Sequence, residues 1–216
     1  MTAPVPHSLL LDVQRRLESL YAIEHQAPVT DFLIPQEEAA RYPGGGSRTL
    51  LKENGDEVSV GVVFEESVGR RLLEADPRVQ LDAANLGPFA TLTEEVSHFV
   101  YLLFCARSSR SVTQLELELQ AEVDKYLTAV AFLSLQNDGA VSARLREVLF
   151  CRYRLAESVS AERAERYHAA SALAYRYCGW LELRFLRASR LADLAREARR
   201  FYRLGQRDKL EKIANI

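Results

Sequence analysis

From about Phe64 to its last residue the chain offers helix-length segments separated by clear breaks and no convincing strand. That pattern constrains the fold more than any other feature, because segments of this length bury their apolar faces only against one another. The spacing predicts helices over roughly 65–75, 91–107, 111–136, 140–158, 160–186, 188–204 and 207–214. Breakers separate them: DPRVQLDAANLGP before the second, ARSSRS before the third, QNDG before the fourth, and residues 158–160 before the fifth.

The first third reads differently. SLLLDVQRRLESLYA sets Leu9, Val13, Leu17 and Leu20 on one helical face behind a Ser cap, and VTDFLI then has the composition of a strand. PGGG at 43–46 breaks the chain, and LLKENGDEVSVGVVF follows. Asn54-Gly55 between two β-prone runs is a hairpin signal, and Val58, Val60 and Val62 alternate with small or polar residues as a half-buried strand does. The expected fold class is therefore mainly α, a helical bundle with a small N-terminal antiparallel β element. Its expected organisation is an α+β subdomain over 1–64, with one helix and three short strands, and a helical bundle over 65–216 that ends in a basic helix.

At 216 residues and 48% hydrophobic, the chain can bury a sizeable core. MTAPVPHSLLLDVQRRLE passes into charge after three leucines, unlike a signal peptide. The longest apolar runs, such as FVYLLFCA, reach about half of the roughly 20 residues that a bilayer span needs. A soluble, cytoplasmic protein without membrane contact is the expectation. Cys105, Cys151 and Cys178 stand far apart with no C-x-x-C spacing, so they read as small apolar side chains rather than as a thiol site.

Chemistry gathers at TEEVSHFVYLLF, where carboxylates and a histidine open an apolar helix. Glu95 and His98 are three apart, as are Glu165 and His168, and side chains at that spacing share a helical face. In the third segment Glu122 falls inside the apolar stripe of Leu115, Leu119, Val123, Tyr126 and Val130. A carboxylate buried there costs several kcal/mol unless it is paired, hydrogen-bonded or metal-bound. The stripe Ala161, Ala164, His168, Ser171, Tyr175 and Cys178 predicts a buried His168 with Tyr175 on the same cavity wall. The expected site is thus Glu95, His98, Glu122, Glu165 and His168 around one divalent ion (iron, manganese or zinc), with Glu118 or Glu94 as a spare carboxylate. A metal-free network of the same carboxylates, hydrogen-bonded to His and Tyr, is the alternative. No nucleotide cofactor is expected, since the PGGGS loop lacks a following G-K-[ST].

Two Glu-x-x-His pairs plus a lone Glu resemble half of the ferritin-like di-iron pattern, which implies a carboxylate-bridged di-iron or di-manganese centre. The chain departs from that pattern before the first pair, where only Glu65, Glu66 or Glu74 on a short helix could supply the preceding carboxylate. Arg163 and His168 form an R-x4-H spacing that resembles the HEPN ribonucleases, and that resemblance implies RNA cleavage with Arg163 on the phosphate and His168 handling a proton.

Net charge is only -2, yet residues 184–212 carry ten basic against four acidic side chains. Arg196, Arg200, Arg203 and Arg207 lie on one face of this segment and Leu191, Leu194, Ala198 and Phe201 on another. That face suits a solvated surface, an intramolecular neutraliser of the acidic bundle, or a docking surface for an acidic protein, with RNA the weaker match. Function therefore divides three ways: a metal-binding helical protein serving as a small-substrate metalloenzyme, a non-catalytic interaction or regulatory protein, and a HEPN-like ribonuclease.

Overall fold

Why the chain enters the bundle as it does is visible in its first helix. In the computed structural model, which describes residues 5–24, 27–54, 57–137, 144–151 and 160–216, α1 (His7–Tyr21) buries Leu9, Leu10, Val13, Leu17 and Tyr21. These recur at three and four residues and line one face. The helix ends at Ala22, whose φ of 47° is left-handed. Its last carbonyls are capped from far away: Arg199 Nε donates to Leu20 O at 2.7 Å, and Arg203 Nη2 to Ala22 O at 3.3 Å. Part of the basic C-terminal face is thereby used inside the molecule.

The expected strand in VTDFLI is corrected to a 3-10 turn, Val29–Phe32, followed by a single parallel bridge between Leu33 and Val62. Pro28 and Pro35 bracket the segment and withhold two backbone donors. The Val29 amide is claimed instead by Gln14 Oε1 at 2.8 Å, so the sheet has two strands rather than three. After the short helix α2 (Gln36–Ala39), β1 (Arg48–Asn54) pairs antiparallel with β2 (Glu57–Val63) from Arg48↔Val63 to Asn54↔Glu57. The turn that Asn54-Gly55 signals lies outside the described residues. Gly61 is needed where the 33–34 segment crosses the hairpin, because a Cβ there would lie 2.0 Å from Ile34 Cδ1.

The bundle comprises α3 (Glu66–Glu74), α4 (Leu86–Arg107), α5 (Gln114–Gln136), α6 (Leu145–Cys151), α7 (Ala161–Leu181), α8 (Leu191–Arg203) and α9 (Gln206–Ala214). A π-helical turn, Glu182–Leu186, extends α7. Thr113 and Ser160 cap α5 and α7 through their hydroxyls. Residues 140–143 and 152–158 of the expected fourth helix fall outside the described residues. One buried apolar cluster runs from Val5 through Leu92, Val100, Val123 and Tyr177 to Ile213, and α1 packs on α4, α5 and α8. Tyr21 stacks on Tyr202 at 3.8 Å and Tyr177 on Phe201 at 3.9 Å, fastening α8 to α1 and α7. Among the described residues no helix is long and apolar enough to cross a membrane.

The central helix is α5. Its sequence QLELELQAEVDK sets acids and amides at every second position, a spacing that looks like strand alternation. Wound at about 100° per residue, it yields two polar stripes: Glu116, Gln120 and Asp124 on one side, Glu118, Glu122 and Lys125 on roughly the opposite side. Five of the six are buried, and Lys125 is partly exposed. Each stripe meets a polar stripe of α4, and the two resulting networks hold most of the buried charge.

Candidate metal centre

The first network joins Glu94, Glu95 and His98 of α4 to Glu118, Glu122 and Lys125 of α5. His98 is 6% exposed and faces a carboxylate at each ring nitrogen, with Glu95 Oε2 3.6 Å from Nδ1 and Glu118 Oε2 3.5 Å from Nε2. Both distances are long for hydrogen bonds. His98 Nε2 is buried without a hydrogen-bond partner among the described residues, as is Glu122 Oε2. Glu94, His98 and Glu118 each offer a ligand atom, all within 4.8 Å of one another. This buried group could hold a metal ion: ligands on one divalent ion at about 2 Å lie roughly 3 to 4 Å apart, so the side chains need move only a little to close on it.

Its surroundings orient it. Glu95 Oε2 accepts from Thr49 Oγ1 of β1 at 2.8 Å, so the hairpin fixes the carboxylate behind the imidazole. Carboxylates in that position commonly hold a ligating histidine in the tautomer that presents its other nitrogen. Lys125 Nζ donates to Glu94 Oε2 at 2.8 Å and to Glu122 Oε1 at 2.7 Å. From α7, Arg163 bonds Tyr167 Oη at 3.1 Å, and both act electrostatically on Glu118.

Proton affinities follow from this packing. Burial alone would lower that of His98, but contacts with Glu118 and Glu95 outweigh it and hold the imidazole well above its usual range. Burial would likewise raise Glu94, but Lys125 and His98 prevail and hold it low. At Glu122 burial prevails over Lys125 and the carboxyl is pushed up.

Of the residues expected to converge, the structure brings together Glu95 and His98, with Glu95 behind the imidazole; Glu122 is linked to Glu94 of the group through Lys125. Glu165 and His168 are exposed on α7 and stand outside the group. The expected burial of His168 is corrected because the buried face of α7 is centred on Ala170, Ala174, Tyr177 and Leu181; Ser171 and Cys178 of the expected stripe lie on it, but His168 falls beyond its edge. Tyr175 does not line the centre: it is 37% exposed, lies 4.2 Å under Arg146 and meets Phe150 edge-on. Of the R-x4-H pair, Arg163 bonds Tyr167 and lies near Glu118 and Glu95, while His168 is exposed. Glu94 and Glu118, held only as spare carboxylates, are ligand candidates, and the i,i+4 spacing of Glu94 and His98 was the available signal.

The second network was missed entirely. Lys209 of α9 is fully buried and donates to Tyr101 Oη at 2.8 Å and Gln120 Oε1 at 2.7 Å. Gln120 Nε2 donates to Asp124 Oδ1 at 2.9 Å, Ser97 Oγ to Asp124 Oδ2 at 2.6 Å, and Tyr21 Oη also donates to Asp124. Burial pushes Lys209 down to about 7 and Asp124 up to about 6. This network pins the C-terminal helix to α4 and α5.

On the outer surface Arg196, Arg200, Arg203 and Arg207 are exposed. Arg196 pairs with Asp193 at 2.8 Å and Arg203 bonds Arg199 O as well as Ala22 O, while Arg200 and Arg207 make no hydrogen bond or ion pair among the described residues. No protein-family model matches the chain, and no curated protein or solved structure matches it.

Proposed function

We propose that the chain is a divalent-metal-binding helical protein whose ion is held by Glu94, His98 Nε2 and Glu118, with Glu95 orienting the imidazole. The observation that carries this is the buried Nε2 of His98, which lacks a hydrogen bond of normal length and lies in a group with two carboxylates whose ligand atoms are all within 4.8 Å. One imidazole with carboxylate oxygens suits manganese, iron or zinc. Three protein ligands leave a coordination position free, and Glu94 is the partly exposed member of the set, so a small substrate would approach from its side. There the ion would polarise a bound oxygen, the chemistry of a small-substrate metalloenzyme.

Because Glu118 and Glu95 raise the proton affinity of His98, the ion competes with that proton, and metal affinity rises with pH. The test is metal analysis after reconstitution of tag-free protein with Mn2+ or Zn2+, beside the Glu118→Gln variant. About one equivalent in the wild type, lost in the variant without loss of helicity, is expected. Less than about a tenth of an equivalent in the wild type would leave the carboxylates and His98 as a structural ion network.

A second reading has its own support. Exposed and unpaired, Arg200 and Arg207 beside Arg196 fit a docking surface for an acidic protein partner, as an interaction or regulatory protein would carry. Reversing both charges, Arg200→Glu with Arg207→Glu, should abolish capture of that partner without changing metal content. A partner bound equally by both forms would remove this reading.

A further inference from the structure

The first network contains a second cation position, and a side chain of the protein fills it. Glu94 faces two ways: it belongs to the ligand group with His98 and Glu118, and its Oε2 accepts from Lys125 at 2.8 Å. Lys125 also reaches Glu122 Oε1 at 2.7 Å. Glu122 Oε2 is buried, and the buried Ser171 hydroxyl lies beside Glu122 and favours its charged form. Carboxylate oxygens from two helices therefore hold the Lys125 ammonium, with Glu94 shared between it and the proposed ion. That is the layout of a carboxylate-bridged pair of cations in which one member is an ammonium group.

We propose that Lys125 occupies the second cation position and limits the centre to a single divalent ion. The inference rests on the metal-binding role of Glu94, His98 and Glu118 and adds its nuclearity. A covalently attached ammonium does not dissociate, and its single charge balances Glu94 and Glu122 less completely than a divalent ion would. A second ion could enter only by breaking both contacts that Lys125 makes with Glu94 and Glu122 and displacing its ammonium. The consequence is chemical: one ion can act as a Lewis acid or activate water, but two-metal clamping of a substrate is closed to this chain.

Mn2+ titration of the full chain, followed by stoichiometry and electron paramagnetic resonance, tests this. The wild type should saturate at one Mn2+ with the six-line signal of an isolated ion. Lys125→Met should take a second equivalent, with the isolated signal giving way to that of a coupled pair, and Lys125→Gln, which keeps polar contact with both carboxylates, should do the same. If either variant folds only once about two equivalents of Mn2+ are present, the proposal is equally supported. Two ions in the wild type, or one in both variants, would overturn the role of Lys125 while leaving the metal site intact. Variants that stay unfolded at saturating Mn2+ would also overturn it. No ion bound to the wild type would remove the metal-binding function and this inference together.

Discussion

Replacing Lys209 with Met should change how stability depends on pH, and the size of the effect follows from its burial. The ammonium is fully buried, its nearest acceptors are the neutral Tyr101 hydroxyl and Gln120 carbonyl, and its pKa falls from 10.5 to about 7. At about 1.36 kcal/mol per pH unit, holding the charged form in the folded state costs about 5 kcal/mol below pH 7. Between pH 7 and 10.5 the unfolded chain keeps a proton that the folded chain has lost, so the contribution of Lys209 to stability rises with pH across that window. Met removes the buried charge but leaves Gln120 Oε1 without its donor, a loss of about 1–3 kcal/mol. The variant should therefore be more stable than wild type at pH 7, by about 2 kcal/mol, and less stable at pH 9.5, by about 1 kcal/mol. Urea denaturation of both proteins across this range isolates the effect, since every other titrating group is common to the two. Parallel curves, with the variant weaker by the same amount at both ends, would show that Lys209 is a stabilising cation throughout and refute the reasoning.

Other outcomes follow from the same structure. Nitrogen NMR of the His98 ring should show imidazolium at pH 7; because its pKa is raised, the stability it contributes is complete below 6.5 and lost as pH rises through the folded value. A neutral ring at pH 7 would contradict this. Gly179→Ala should destabilise by about 1–3 kcal/mol, because its Cβ would lie 2.6 Å from Arg146 Nη1, a group already held against Tyr175 and Glu182. An unchanged denaturation midpoint would count against that packing. Arg199→Ala should uncap α1, lowering stability by about 0.5–1 kcal/mol and speeding amide exchange in the last turn of that helix; unchanged exchange there would mean the cap is inert.

The helical body was legible because breakers and apolar periodicity agreed from α3 to α9, and the hairpin because Asn54-Gly55 and the alternating valines agreed. VTDFLI misled because strand composition was weighed without its surroundings: Pro28 precedes a 3-10 turn over Val29–Phe32, and Gln14 takes the Val29 amide. Glu122 and His98 were legible as charges on apolar stripes. The Glu-x-x-His repeat drew attention to Glu165, although Glu94 at i,i+4 reaches His98 just as well. His168 was misplaced because small side chains on a helix rich in alanine mark no face clearly: Ser171 and Cys178 of its stripe are buried, but the bulky Tyr177 and Leu181 centre the inner face further round. Lys209 was hidden by its company, one of ten basic residues in a segment that looks uniformly solvated. Burial of such a residue depends on acceptors that α4 and α5 bring from about 90 to 110 residues away.

The metal role of Glu94, His98 and Glu118 is tested most directly by anomalous diffraction from crystals grown with Mn2+ or Zn2+. The expected result is one strong peak between α4 and α5, about 2 Å from His98 Nε2 and from an oxygen of Glu94 and of Glu118. Crystals in the same solution whose only peaks lie on surface carboxylates, with His98 still between Glu95 and Glu118, would contradict it.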